Sequence, residues 1–157
     1  MAEKAKAHVS IRIDAPVDIV FNFIVNPYNM PGVWPSLIEA RNVKMQPEGG
    51  YTYDWTYKML GMAFKGSTKT MEYIPGQSLI DQTVKGLESR FNWTFEPDNR
   101  ATILTVEVVY NIPFPLLGRL AESMIVKQNE REAKVMFDNI KKTVEKYWGS
   151  TGFHLNN

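Results

Sequence analysis

Between Tyr51 and Met59 the chain alternates: Tyr51, Tyr53, Trp55, Tyr57 and Met59 fall on one face, and Thr52, Asp54, Thr56 and Lys58 on the other. A period of two predicts a strand with one covered face. Val9, Ile11 and Ile13, set against Ser10 and Arg12, predict a first strand over 9–13 in the same way. Asp14-Ala15-Pro16 breaks that period, and Val17, Val20, Phe21 and Ile24 then recur at helical spacing. Proline suits a first helical turn, where its missing N–H costs nothing. A short helix is therefore predicted over 16–25, ended by Asn26-Pro27. Residues 27–36 hold three prolines, Gly32, Tyr28 and Trp34, and read as a loop or a second short helix over an apolar opening.

From Leu37 to Ile112 the runs are short and punctuated. Glu48-Gly49-Gly50, Leu60-Gly61, Pro75-Gly76, Lys85-Gly86 and Pro97-Asp98-Asn99 are turn signals between alternating segments. Such spacing predicts an antiparallel meander, with strands over 51–59, 62–73, 79–84, 90–95 and 101–111. After Pro113 and Pro115 the period becomes helical. One long helix is predicted over 116–147, with Ala133, Met136, Phe137, Ile140, Val144 and Tyr147 as its apolar stripe. Gly149 reads as its stop, and 150–157 as a frayed tail. A sheet with one apolar face and a helix with one apolar stripe satisfy each other if the sheet bends around the helix. The expected fold is α+β: seven antiparallel strands, two short helices between strands one and two, and a long C-terminal helix in the concave face.

Composition narrows the chemistry. The 157 residues suit one domain, with a core over about 8–148. Eighteen basic and seventeen acidic residues leave +1, without the basic surplus of a nucleic-acid binder. With no cysteine, disulfides, thiol nucleophiles and cysteine-bound metals are excluded. The two histidines, His8 and His154, sit near opposite ends, so neither a metal site nor a histidine-based triad is indicated. No cofactor is implied. Met1-Ala-Glu-Lys-Ala-Lys-Ala lacks the apolar stretch of a secretory leader, and no run reaches the ~20 apolar residues of a membrane helix. The expectation is a cytoplasmic protein.

Several short motifs fall in a recognisable order. They are Ile13-Asp14-Ala15-Pro16 followed by Val20-Phe21, Trp34-Pro35, Glu48-Gly49-Gly50, Glu72-Tyr73-Ile74-Pro75-Gly76, and a closing helix ending Asn139-Ile140-Lys141-Lys142-Thr143-Val144-Glu145. Over nearly its whole length the chain resembles the START-like (SRPBCC, helix-grip) superfamily. That superfamily includes polyketide cyclases and dehydrases, birch-pollen-allergen-like proteins, lipid-transfer domains and a family of small accessory proteins of carbon monoxide dehydrogenase. The resemblance implies a helix-grip fold and does not transfer a catalytic set, because this scaffold hosts transport, sensing and catalysis alike.

The ladder Tyr51, Tyr53, Trp55, Tyr57 reads either as cross-strand packing or as a cavity wall. Buried phenol and indole groups need hydrogen-bond partners, which a wet or liganded cavity supplies. Along the helix the stripe shrinks at Ala133 and turns polar at Asn129. Either the helix turns outward there or the space is a pocket. The predicted ligand-binding set is Tyr53, Trp55, Tyr57, Phe64, Phe91, Trp93, Asn129, Ala133 and Phe137. The predicted pocket volume is ~300–1,000 Å³, the usual range for such sites. Glu72 and Glu107 sit in strands, and alternation leaves each facing either inward or to solvent. Inward, they would be desolvated carboxylates and the candidate catalytic residues. The leading expectation is binding or transport of a hydrophobic or amphipathic small molecule: a lipid, isoprenoid or polycyclic aromatic. The alternatives are a polyketide cyclase/dehydratase-like enzyme, or an accessory protein docking through Phe114, Leu116, Leu117 and Met124 on an enzyme partner. A homodimer is a further option.

Overall fold

The structure, a computed structural model, describes residues 4–113 and 121–155. Seven strands follow in chain order: β1 (Lys4–Ile13), β2 (Leu37–Met45), β3 (Tyr51–Met59), β4 (Met62–Ile74), β5 (Ser78–Lys85), β6 (Ser89–Asp98) and β7 (Ala101–Asn111). Helix α1 (Val17–Val25) and a single 3-10 turn (Pro27–Asn29) lie between β1 and β2, and helix α2 (Glu122–Leu155) closes the chain. The strands form one curved antiparallel sheet in the order β1-β7-β6-β5-β4-β3-β2. Every neighbour but the β1–β7 pair is a sequence neighbour, as a meander requires.

Alternation decides which residues face the helix. Ile13, Leu79, Trp93, Phe95, Leu104 and Val106 point inward and are buried, together with Ile125, Met136, Phe137, Ile140 and Val144 of α2. Phe21 of α1 packs edge-on against Phe95 and Tyr73, with centroids at 5.0 and 5.3 Å, and fills the end of the sheet near the β4–β5 and β6–β7 turns. Polar contacts fasten α2 at both ends of this core. Lys141 Nζ donates to the Arg12 carbonyl at 2.7 Å, and Glu145 Oε2 accepts from the Asp14 N–H at 2.7 Å. Asn139 Nδ2 donates to the Val33 carbonyl at 3.0 Å, and Glu132 Oε1 accepts from the Ser36 N–H at 2.9 Å. The segment between the 3-10 turn and β2 is thereby tied to the helix that it faces.

The elements depart from expectation in four places. β1 begins at Lys4 rather than residue 9, because Ala5 and Ala7 take inward positions opposite Tyr110 and Val108. Alanines carry too little hydropathy to mark a period. The expected second helix is only a 3-10 turn. Helix α2 runs through Gly149 to Leu155; a Cβ at Gly149 would meet nothing within 4 Å, so this glycine faces open space and weakens the helix without ending it. The buried stripe stops at Val144, since Tyr147 is exposed and Trp148 packs against the core instead. The expected helix start at 116–120 lies outside the described residues, as do Phe114, Leu116 and Leu117.

Gly66 shows how one small residue shapes the interior. It lies opposite Trp55 in the β3–β4 register, and a Cβ there would run into the Lys85 carbonyl and the six-membered ring of Trp55. The missing side chain lets the indole lie against the strand. Gly66→Ala should therefore lower the unfolding free energy by about 1–3 kcal/mol, the usual range for overpacking. Urea titration measures this, and an unchanged midpoint would contradict the account.

Candidate functional site

The strands that curl around α2 leave a cavity of about 130 Å³ where the helix carries Ala133 and Asn129. The sheet side is formed by Tyr53, Trp55 and Tyr57 of β3, Thr68 and Thr70 of β4, Asp81 and Thr83 of β5, and Phe91 and Trp93 of β6. Trp34 closes it from the segment before β2. Its ring meets Tyr57 edge-on at 5.3 Å and Phe91 at 5.3 Å. Phe91 stacks on Trp93 at 6.3 Å, and Trp93 stacks on Phe137 at 5.9 Å. These rings take up much of the interior, which is why the cavity is smaller than the predicted range.

The polar groups of the wall are mostly paired with one another. Trp55 Nε1 donates to Thr68 Oγ1 at 2.9 Å. Thr70 Oγ1 donates to Asp81 Oδ1 at 2.9 Å and accepts from the Tyr51 N–H at 3.0 Å. The Thr83 and Ser89 hydroxyls share a hydrogen bond of 2.8 Å. On the helix side, Asn129 Nδ2 donates to the Tyr110 hydroxyl at 3.0 Å. Among the described residues, Asn111 Oδ1 is a buried acceptor without a partner, while its Nδ2 donates to Glu88 Oε2 at 2.7 Å. Both residues border the cavity.

Desolvation dominates the titration of this wall. Burial pushes the Asp81 carboxyl up to about 6, against the opposing pull of the Thr70 hydrogen bond. Burial also raises the Tyr53 phenol, and the neighbouring Asp81 charge adds to the effect. Tyr57 is raised by burial and then by Glu132, and Tyr110 chiefly by burial. These phenols remain protonated donors at neutral pH.

Of the predicted set, Tyr53, Trp55, Tyr57, Phe91, Trp93, Asn129 and Ala133 border the cavity. Phe64 and Phe137 do not. Phe64 points inward opposite Tyr57 and packs against the core, and Phe137 stands behind Trp93 as its stacking partner. The candidate catalytic carboxylates Glu72 and Glu107 both lie on the solvent side of the sheet. Glu107 is exposed between the inward Val106 and Val108. Glu72 is exposed because β4 bulges between Thr70 and Glu72; Met71 is the extra residue, so both it and Glu72 face solvent before Tyr73 turns in. Glu72 accepts from the Ser78 hydroxyl at 3.1 Å on that outer face. Asp81 is the carboxylate that sequence reasoning missed. Its signal was the alternation Leu79, Asp81, Thr83, which puts it on the same face as a fully buried leucine.

Residues 4–145 match the family model described as polyketide cyclase / dehydrase and lipid transport. Among curated proteins none matches the chain. Among solved structures, the fold is similar to a START superfamily protein from Mycobacterium smegmatis, with TM-score 0.77 and 11% identity, covering 91% of this chain and 99% of that one. It is similar to the Zhui aromatase/cyclase from Streptomyces sp. R1128, with TM-score 0.74 and 11% identity, covering 92% and 95%. A protein from Thermus thermophilus, TTHA0849, gives TM-score 0.69 at 16% identity, covering 88% and 96%. At such identities the likeness is one of fold. Among the described residues no helix is long and apolar enough to cross a membrane.

The Asp81 shift has a consequence for stability. A carboxyl with a raised folded-state pKa binds its proton more tightly folded than unfolded, so stability is lost as pH rises from the ordinary value of 3.8 through about 6. Asp81→Asn keeps an acceptor for Thr70 and removes the charge. Its melting temperature should exceed wild type above about pH 6, and the gain should shrink to nothing below about pH 4. Thermal melts across that window check the sign; a gain that grows toward acid would contradict it.

Proposed function

The chain belongs to the polyketide cyclase / dehydrase and lipid transport family, and from that premise we propose that it binds a compact amphipathic ring compound between its sheet and α2. The observation that carries this reading is the space at Ala133. Interiors tolerate few voids, yet here a small helix residue faces a wall of Trp34, Tyr57, Phe91 and Trp93 with open volume between. An apolar cavity of about 150 Å³ holds a benzene-sized molecule, and this one is of that order. A one- or two-ring molecule, smaller than most of the lipids, isoprenoids and polycyclic aromatics expected from the sequence, fits this volume best. A long acyl chain or a large polycycle requires Trp34 to move out of its contacts with Tyr57 and Phe91.

A second reading draws on Asp81. The cavity wall holds a desolvated carboxylate, Asp81, and a protonated phenol, Tyr53, group types used as acceptor and donor in enolisation or water loss. In a cyclase or dehydratase, Asp81→Asn would lower turnover of a poly-ketone by about 10²–10⁴-fold while binding persists. The binding reading needs only the cavity and therefore comes first.

The test is uptake of 1-aminonaphthalene, a neutral fluorophore whose emission shifts in apolar surroundings. Wild-type protein should bind it saturably. Ala133→Phe should fill the space and weaken binding by about tenfold or more, with the fold retained at a cost of about 1–3 kcal/mol. Glu72→Gln and Glu107→Gln, both on the outer face, should change affinity by less than about threefold. A folded Ala133→Phe variant that binds the dye as wild type does would overturn the proposal.

A further inference from the structure

The charges around the cavity are all of one sign. Asp81, Glu88 and Glu132 border it, and among the described residues no lysine, arginine or histidine does. Two of these carboxylates are engaged at the margins: Glu88 with Asn111 and Glu132 with the Ser36 N–H. Asp81 stands within the wall, between Thr70 on β4 and Phe91 on β6. Its Oδ1 accepts from Thr70, and among the described residues no group donates to Oδ2. A desolvated carboxylate without a cation is costly to keep. Thr70 relieves part of that cost through Oδ1, but among the described residues no lysine or arginine pairs with Asp81, although the outer face of the same sheet pairs its own carboxylates readily, as at Arg12–Asp98 and Arg41–Glu39.

The walls point to the same class of ligand. Trp34, Phe91 and Trp93 line the same cavity as Asp81, and aromatic rings attract organic cations through their quadrupoles. An anionic head group would bring a further negative charge into a poorly screened cavity that already holds one. A protonated amine would place its N–H on Oδ2 and its apolar body against the rings. We infer that this cavity selects organic cations, in particular ring compounds bearing a protonated amine, with Asp81 as the counter-ion. The inference rests on the reading of the cavity as a binding site and adds the charge of its ligand. The shift of Asp81 accords with it, since an incoming cation would draw that carboxyl back toward its ordinary range.

Three probes of equal ring and chain size separate the possibilities: 2-phenylethylamine, which is cationic at neutral pH, 2-phenylethanol, which is neutral, and 3-phenylpropanoate, which is anionic. Each competes against 1-aminonaphthalene in wild type and in Asp81→Asn. The amine should bind about tenfold or more tightly than the alcohol, and the alcohol more tightly than the carboxylate. Asp81→Asn should bring the amine to within about threefold of the alcohol and leave the alcohol itself within about threefold of its wild-type affinity. The inference is overturned if the carboxylate binds as well as the amine, or if the preference for the amine survives in Asp81→Asn. If the alcohol binds but shows no deficit against the amine, the cation inference alone falls. If none of the three displaces the dye and the dye itself does not bind, the cavity reading falls with it.

Discussion

Trp93 stacked on Phe137 divides the interior into a filled half and an open half. Along β6, Phe95 lies on the filled side, where Phe21 packs against it, and Phe91 lies on the open side, where Trp34 meets it. Along α2 the same boundary falls between Phe137, with Ile140 and Val144 beyond it, and Ala133. The filled half supplies the apolar burial that drives folding and docks the helix. With the helix docked there, and tied to residues 33 and 36 by Asn139 and Glu132, a void can persist at Ala133 without collapse. Close packing on one side is thus the condition for open space on the other.

The same division explains the distribution of polar groups. In the filled half the buried Thr102 hydroxyl serves the backbone, donating to the Ala15 carbonyl at 2.8 Å. In the open half, Thr68, Thr70, Thr83 and Ser89 hold one another, an indole and a carboxylate. Polar groups in an interior are tolerated when their hydrogen bonds are made. Asn111, whose Oδ1 has no partner, and Asp81, with one carboxylate oxygen served by Thr70 and its pKa raised by burial, are exceptions. The position of Asp81 makes the wall chemically specific where aromatic rings alone would leave it general.

Much of this was legible in the sequence, for a physical reason. A meander with one covered face writes its register as alternation, and turn glycines mark its ends, so seven strands and the inward set Tyr53, Trp55 and Tyr57 could be read directly. Shrinkage of the helix stripe at Ala133 was likewise visible. What could not be read depends on departures from periodicity. The bulge at Met71 sends Glu72 outward, and nothing in the local residues announces it. Phe137 follows the helical stripe into the core, but only the three-dimensional stacking on Trp93 shows that it props the wall instead of forming it. Asp81 follows the alternation faithfully; it escapes notice because an acidic residue in a strand is ordinarily a surface residue. The cavity volume depends on how the rings of Trp34, Phe91 and Trp93 share one space, and this is a property of packing alone.

The four tryptophans provide a direct test of where a ligand sits. Trp34, Trp55 and Trp93 border the cavity, whereas Trp148 packs near the far end of α2 and does not. Each has one indole N–H, and each gives one cross-peak in a ¹H–¹⁵N correlation spectrum. Titration with 1-aminonaphthalene should move the peaks of Trp34, Trp55 and Trp93 together and saturably, leaving that of Trp148 in place. A spectrum in which only Trp148 responds, or in which the dye binds while all three cavity indoles stay fixed, would contradict a binding site between the sheet and α2.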